Sequence, residues 1–194
     1  MNIYDFDGTI YDGDSCKDIV LYGLKKYPRV TSKSLFKSRR LNKLYKKGHI
    51  EFEAVKEVLL SFIFKIPNKK KFINDFVSSH LNKIKPWYLS RKNDKDVIVS
   101  ASHDIWISEF AKQLDIKHII CTKVDDDGMI IGKNCKRYEK VNRIKKEFPN
   151  TKILSSYSDS ASDIPILELT DNSFVIEGNK IIPYKKGYKF KNNK

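Results

Sequence analysis

Nothing in the 194-residue chain approaches the roughly 18 consecutive apolar residues that a membrane-spanning helix needs; the nearest run, VLLSFIFKI, falls far short. A positively charged and then apolar leader is also missing, since Met1 runs directly into strand-like sequence, and this predicts a cytoplasmic protein. The three cysteines, Cys16, Cys121 and Cys135, are odd in number, far apart and without CxxC spacing. That argues against a disulfide framework or a zinc site and leaves them as small core residues. His49, His80, His103 and His118 show no HxxxH spacing. There is no internal repeat, no low-complexity linker, no groove-reading helix motif and no aromatic RNA-binding signature.

What is present is a globular composition, 40% hydrophobic, in a length that suits one domain or a domain with an insertion. The net charge of +14 is unevenly spread. Between Ser15 and Lys92 there are 20 Lys and Arg against 5 Asp and Glu, whereas the remainder is close to neutral. A basic segment attached to a neutral one suggests two parts with different tasks, the basic one meeting something anionic, such as a nucleic acid or an anionic membrane. Lysines that merely solvate helix surfaces would give the same count.

The chain opens with NIYDF, an apolar-rich run ended by the turn signal Gly8, which predicts a buried strand over Asn2 to Phe6. Residues 15–85 then carry helical spacing and no convincing strand, in SCKDIVLYGLKKY, SLFKSRRLNKLYKK, EFEAVKEVLLSFIFKI and KKFINDFVSSHLNKI, punctuated by Pro28, Gly48, Pro67 and Pro86. From Asp96 strands alternate with helices: DVIVSAS, IWISEFAKQL, HIICT, YEKVNRIKKEF, KILSSYS, DIPILEL, and SFVIE as the last strand. VDDDGMIIGK reads as a hairpin turning at Asp127 and Gly128, and KKGYKFKNNK as a frayed tail. The alternation predicts an α/β fold, a Rossmann-like parallel sheet with ligands beyond the strand C-termini. Residues 1–14 and 86–194 would form this core and residues 15–85 a helical insertion.

In such a sheet, side-chain alternation puts Asp5 and Asp7 on one side of the first strand's end. Two carboxylates so close need a cation or a proton between them. The second strand brings Ser100 and Ser102 to the same edge, the fourth brings Asp159 and Asp163, and the helix before it brings Lys140. Three carboxylates near one point make a hard, oxygen-rich site suited to Mg²⁺. A lysine and a hydroxyl beside it suit a phosphoryl group, which a further carboxylate can attack.

DFDGT, then VIVSAS, then a lysine, then SDSASD, in this order over nearly the whole chain, resembles the haloacid dehalogenase superfamily of phosphohydrolases. The helical insertion after the first motif is similar to the small cap of its phosphoserine-phosphatase-like branch. The resemblance implies a Mg²⁺-dependent phosphatase acting on a small phosphorylated substrate. Asp5 would be the nucleophile that becomes an aspartyl-phosphate, and Asp7 the general acid and then base, its backbone carbonyl also holding the metal. Gly8 and Thr9 would wrap the phosphate, Ser100 and Ala101 would bind it, and Lys140, rather than Lys136, would neutralise developing charge. Asp159 would complete the metal ligands with Asp5 and Asp7, and Asp163 would support the metal's waters or orient the lysine. Ser158 stands where the family usually has glycine.

Other readings stay open at this level. Asp14 matches the acid that meets a substrate amine in phosphoserine phosphatases, and it equally suits a helix N-cap. His103 needs no role beyond a polar helix start. Phe36, Phe52, Phe62, Phe72 and Phe76 are expected in the small domain's core. A phosphotransferase or mutase could use the same site. A signalling receiver domain also accepts phosphate on an aspartate, but it has no large helical insertion.

Overall fold

The computed structural model describes residues 1–191, and in it five strands run parallel: β1 (Asn2–Tyr4), β2 (Asp96–His103), β3 (His118–Thr122), β4 (Ser155–Ser158) and β5 (Ser173–Glu177). A sixth, β6 (Lys180–Pro183), lies antiparallel on β5. The sheet order is β3-β2-β1-β4-β5-β6, so β1 sits centrally where the chain switches from building one side of the sheet to building the other. Successive side chains alternate faces, and this sorts the core. Ile3, Val97 and Val99 belong to one apolar cluster, with Val141, Ile144 and Ile166. Tyr4, Ile98 and Tyr157 belong to a second and larger one. The first is covered by α7 (Tyr138–Glu147) and α8 (Ile164–Leu167), the second by α6 (Asp104–Gln113) and by helices of the segment before β2.

That segment forms α1 (Ser15–Lys26), α2 (Pro28–Lys46), α3 (Phe52–Leu60), α4 (Lys69–His80) and the short α5 (Pro86–Leu89). Their ends follow local chemistry. Asp14 caps α1 by accepting the Lys17 N–H at 3.0 Å, and Asn68 caps α4 by accepting that of Lys71 at 3.1 Å. Pro28 opens α2, where its missing N–H costs nothing. The two crossings between helices and sheet are tied together. Asp12 donates its N–H to Lys83 O at 2.7 Å, Lys85 donates to Ile10 O at 2.8 Å, and Tyr11 bridges Ile84.

Several elements differ from the sequence expectation. The first strand is shorter than Asn2 to Phe6, because Phe6 O turns to accept the N–H groups of Ile10 and Tyr11, although Asp5 still donates to Tyr157 O at 3.0 Å. SFVIE is not the last strand, and the tail does not fray at Tyr188 or Lys191, whose side chains both bond the Glu177 carboxylate. Residues 192–194 of that tail lie outside the described residues. The hairpin at Asp127 and Gly128 is reduced to one bridge, Val124 to Ile130, with the Asp125 carboxylate accepting the N–H groups of Asp127 and Met129. Of the aromatics assigned to a separate small core, Phe62, Phe72 and Phe76 are buried, but Phe36 and Phe52 are 64% and 42% exposed. The buried ones do not form a core of their own. They join Phe6, Trp106 and Phe110 in one cluster, with the Phe76 and Phe110 rings edge to face at 6.0 Å.

A shared cluster implies shared unfolding. Phe76→Ala should cost about 3–5 kcal/mol and lower a single calorimetric transition by roughly 6–20 °C. Two resolved transitions, only one of them shifted, would contradict a common core.

Candidate active site

The C-terminal edges of β1, β2 and β4 and the first turn of α7 open onto one cavity of about 430 Å³, roofed by α2 and α3. Asp5 and Asp7, Ser100 and Ala101, Asp159 and Asp163, and Lys140 all line it, with Asp14 also on its wall. Asp5 is buried, and its Oδ1 accepts from Lys140 Nζ at 2.7 Å. The same ammonium donates to Asp163 Oδ2 at 2.7 Å, and Ser158 Oγ supports that oxygen at 2.9 Å. Lys140 is therefore the lysine seated between carboxylates, while Lys136 lines the cavity from an exposed position.

Burial pushes the Asp5 carboxyl up, and the Lys140 charge pulls against it. For Lys140 burial works against the charge, yet Asp163 and Asp5 outweigh it, so its pKa lies above the ordinary lysine value. Asp7 occupies a different environment. Its Oδ1 accepts the Ser15 N–H and its Oδ2 the Ser102 hydroxyl, both at 2.6 Å. Ser15 Oγ is itself held by Trp106 Nε1 at 3.0 Å. Burial raises the Asp7 carboxyl above its usual range, against the lowering effect of those hydrogen bonds. Burial thus raises both carboxyls, and the two aspartates differ in their partners, one paired with a cation and the other held by an N–H and a hydroxyl.

The turn that follows them depends on Gly8. Its φ is +80°, and a Cβ there would lie 2.1 Å from Asp159 Oδ2. Thr9 Oγ1 bridges the two sides of the sheet switch, at 3.3 Å from Asp5 Oδ2 and 3.4 Å from Asp159 Oδ1, and it accepts the Asp159 N–H at 3.0 Å. Gly8 and Thr9 therefore brace this turn instead of lining the cavity. Ser100 Oγ accepts the Ser102 N–H at 3.0 Å. Among the described residues no three His, Cys, Asp or Glu side chains surround one point. The three-carboxylate centre expected from the sequence is thus not formed by side chains, because Asp7 turns away to Ser15 and Ser102. What remains at that end of the cavity is oxygen-only, the Asp5 and Asp159 carboxylates. Such a set fits Mg²⁺, which keeps several of its waters. Asp163 Oδ1, buried and without a hydrogen-bond partner among the described residues, fits the same need for a further donor.

The sequence reading missed several polar groups. Lys56 of α3 is buried on the cavity wall and donates to Ala101 O at 2.5 Å and to Asn134 Oδ1 at 3.3 Å. Burial lowers its pKa. A lysine at i+4 from Phe52 on an otherwise apolar helix face was the available signal. Lys85, also buried, donates to Gly8 O and, at 2.8 Å, to Gly178 O. Gly178 lies in the β5–β6 turn, so no local pattern could have announced that contact. His103 does not line the cavity. It stacks on Trp106 at 5.2 Å, and burial pushes it down to about 2, so it is neutral.

Comparison with known proteins places this geometry. The family described as haloacid dehalogenase-like hydrolase matches residues 3–168. Among solved structures, a protein of unknown function from Bordetella pertussis Tohama I superposes with a TM-score of 0.73 at 18% identity, covering 90% of this chain and 88% of that one. A phosphoserine phosphohydrolase-like protein from Francisella tularensis subsp. tularensis SCHU S4 gives 0.56 at 19%, covering 92% and 88%. A phosphoserine phosphatase in a phospho-aspartyl intermediate analogue state gives 0.51 at 16%, covering 89% and 84%. At these identities the likeness is one of fold. No curated protein matches the chain.

Lys140→Met should leave two buried carboxylates facing each other and cost about 3–5 kcal/mol in urea unfolding near neutral pH. A carboxyl whose folded pKa is raised stabilises the fold at low pH and loses that contribution as pH rises through the raised value. The deficit against wild type should therefore be largest at pH 8 and shrink toward pH 5. A pH-independent deficit would show that Lys140 does not neutralise Asp5 and Asp163.

Proposed function

The chain belongs to the haloacid dehalogenase-like hydrolase family, and on that premise we propose that it is a Mg²⁺-dependent phosphomonoesterase that passes the phosphoryl group of a small substrate through Asp5. The observation that carries this reading is the division of labour between the two aspartates. Asp5 is held by the Lys140 ammonium, while Asp7, in the same cavity, has no cation on it and accepts from the Ser15 N–H and the Ser102 hydroxyl.

Asp5 attacks the phosphorus as a carboxylate. The bond to the leaving alcohol breaks as Asp7 gives that oxygen its proton, and an aspartyl-phosphate remains on Asp5. Asp7, now ionised, takes a proton from water, and the oxygen of that water displaces Asp5 to release phosphate. Each half of the cycle restores the protonation state that the other requires. Lys140 offsets charge on the attacking carboxylate, and the Ser102 and Ser15 hydrogen bonds aim Asp7. The carboxylates of Asp5 and Asp159 and the carbonyl of Asp7 would hold Mg²⁺, which when bound shares the charge on the phosphoryl oxygens. Residues 15–85 act as a cap that limits water at the site.

Phosphate release from a panel of phosphomonoesters should require Mg²⁺ and cease in EDTA. Asp5→Asn should lower it by roughly 10⁴-fold or more, and Asp7→Asn by about 10²–10⁴-fold. An Asp5→Asn protein that turns over at near wild-type rate would sink the reading.

A further inference from the structure

The roof of the cavity carries information that the reacting groups do not. Helix α3 turns Phe52, Val55, Lys56 and Leu59 toward the cavity, a spacing of i, i+3, i+4 and i+7 that keeps them on one face. The acids of this helix do not share that face. Glu57 reaches away to accept the Ile130 N–H at 2.9 Å. Lys56, the charged member, is drawn to the sheet edge by Ala101 O and Asn134 Oδ1. What α3 offers to the outer part of a bound ester is thus Phe52, Val55 and Leu59. Across the cavity α2 contributes Arg39 and Asn42.

Asp5, Asp7, Asp159 and Asp163 belong to the reacting end, and Asp14 already caps α1 through Lys17 N–H. Toward solvent the apolar strip continues, because the Tyr45 ring lies 5.3 Å from that of Phe52 and both are partly exposed. Building on the phosphomonoesterase reading, we infer that the preferred substrate is a phosphomonoester whose alcohol has an alkyl or aryl body next to the ester oxygen. Its phosphate meets the Asp5 end, and its apolar body lies along α3 between Leu59 and Phe52. Cationic Arg39 at the wall tolerates a neutral or anionic group beyond that body and disfavours a cationic one.

The test separates this inference from the catalytic reading by measuring binding as well as turnover. Non-hydrolysable n-alkyl phosphonates of two to eight carbons, titrated calorimetrically into the full-length protein with Mg²⁺, should bind roughly fourfold tighter per added methylene over the first several carbons. In turnover, kcat/KM should rise along the matching n-alkyl phosphates, mainly through KM, and exceed the values for phosphoserine and phosphoethanolamine. Phe52→Ser, at a partly exposed position, should flatten the chain-length dependence without lowering the melting temperature. Leu59→Asn, checked by thermal melting, supplies a second variant. Affinity independent of chain length, no phosphonate binding at all, or preference for the amine-bearing esters would overturn the inference. Chain-length-dependent binding without hydrolysis of any ester would instead overturn the phosphatase reading and leave the apolar wall standing.

Discussion

One ammonium group holds the polar end of the cavity together. Lys140 Nζ stands 2.7 Å from carboxylate oxygens of both Asp5 and Asp163, all three side chains being buried. Two carboxylates taken out of water at such distance repel each other, and a single cation between them turns that cost into a fixed geometry. The compensation is incomplete. With Asp159 also lining the cavity and Asp163 Oδ1 without a hydrogen-bond partner among the described residues, the carboxylates next to Lys140 outnumber that one cation. A divalent cation and the cationic demands of phosphoryl transfer fit that imbalance, whereas a purely structural ion pair would leave it unexplained.

The rest of the sheet places the partners of this triad. β1 is only three residues long, yet it lies in the middle, between β2 and β4, so that its end is the point where the strand order reverses. Loops leaving neighbouring strands in opposite directions create a crevice there, and residues from both sides fall into it without any special backbone. Special backbone is needed at Gly8, where the chain must pass against the Asp159 carboxylate with a positive φ. Buried Lys85 fastens that turn from behind through the Gly8 and Gly178 carbonyls. Among the described residues Lys85 forms no salt bridge, and a lysine held only by carbonyls is costly to bury, which marks the Gly8 turn as a place where rigidity matters.

The helices before β2 are more deeply integrated than an appended lid. Their aromatics merge with those of the sheet side into one cluster, and the two chain crossings are bonded to each other through Asp12, Lys83, Lys85 and Ile10. Through Lys56, α3 also reaches the carbonyl of Ala101, beside Ser100. A roof fixed in this way presents a defined wall to the cavity.

The sequence by itself determined what depends on neighbours along the chain. Asp5 and Asp7 at the end of a short apolar run, Ser100 after DVIV, Lys140 early in a helix and Asp159 after SSYS each lie where local pattern ends a strand or starts a helix. The parallel α/β arrangement then brings such ends to one edge. Asp14 as an N-cap is equally local. Tertiary structure alone decided which groups touch across that edge. Asp7 turns to Ser15 and Ser102 instead of joining a third carboxylate, Lys140 bonds Asp5 and Asp163, Lys56 drops onto Ala101, and β6 extends the sheet beyond SFVIE. The same holds for Phe62, Phe72 and Phe76 against Phe36 and Phe52. Helical spacing marks all five as apolar, but whether an apolar face is covered depends on an element distant in sequence. Periodicity encodes the face a residue shares, and only the packing of remote segments decides what that face meets.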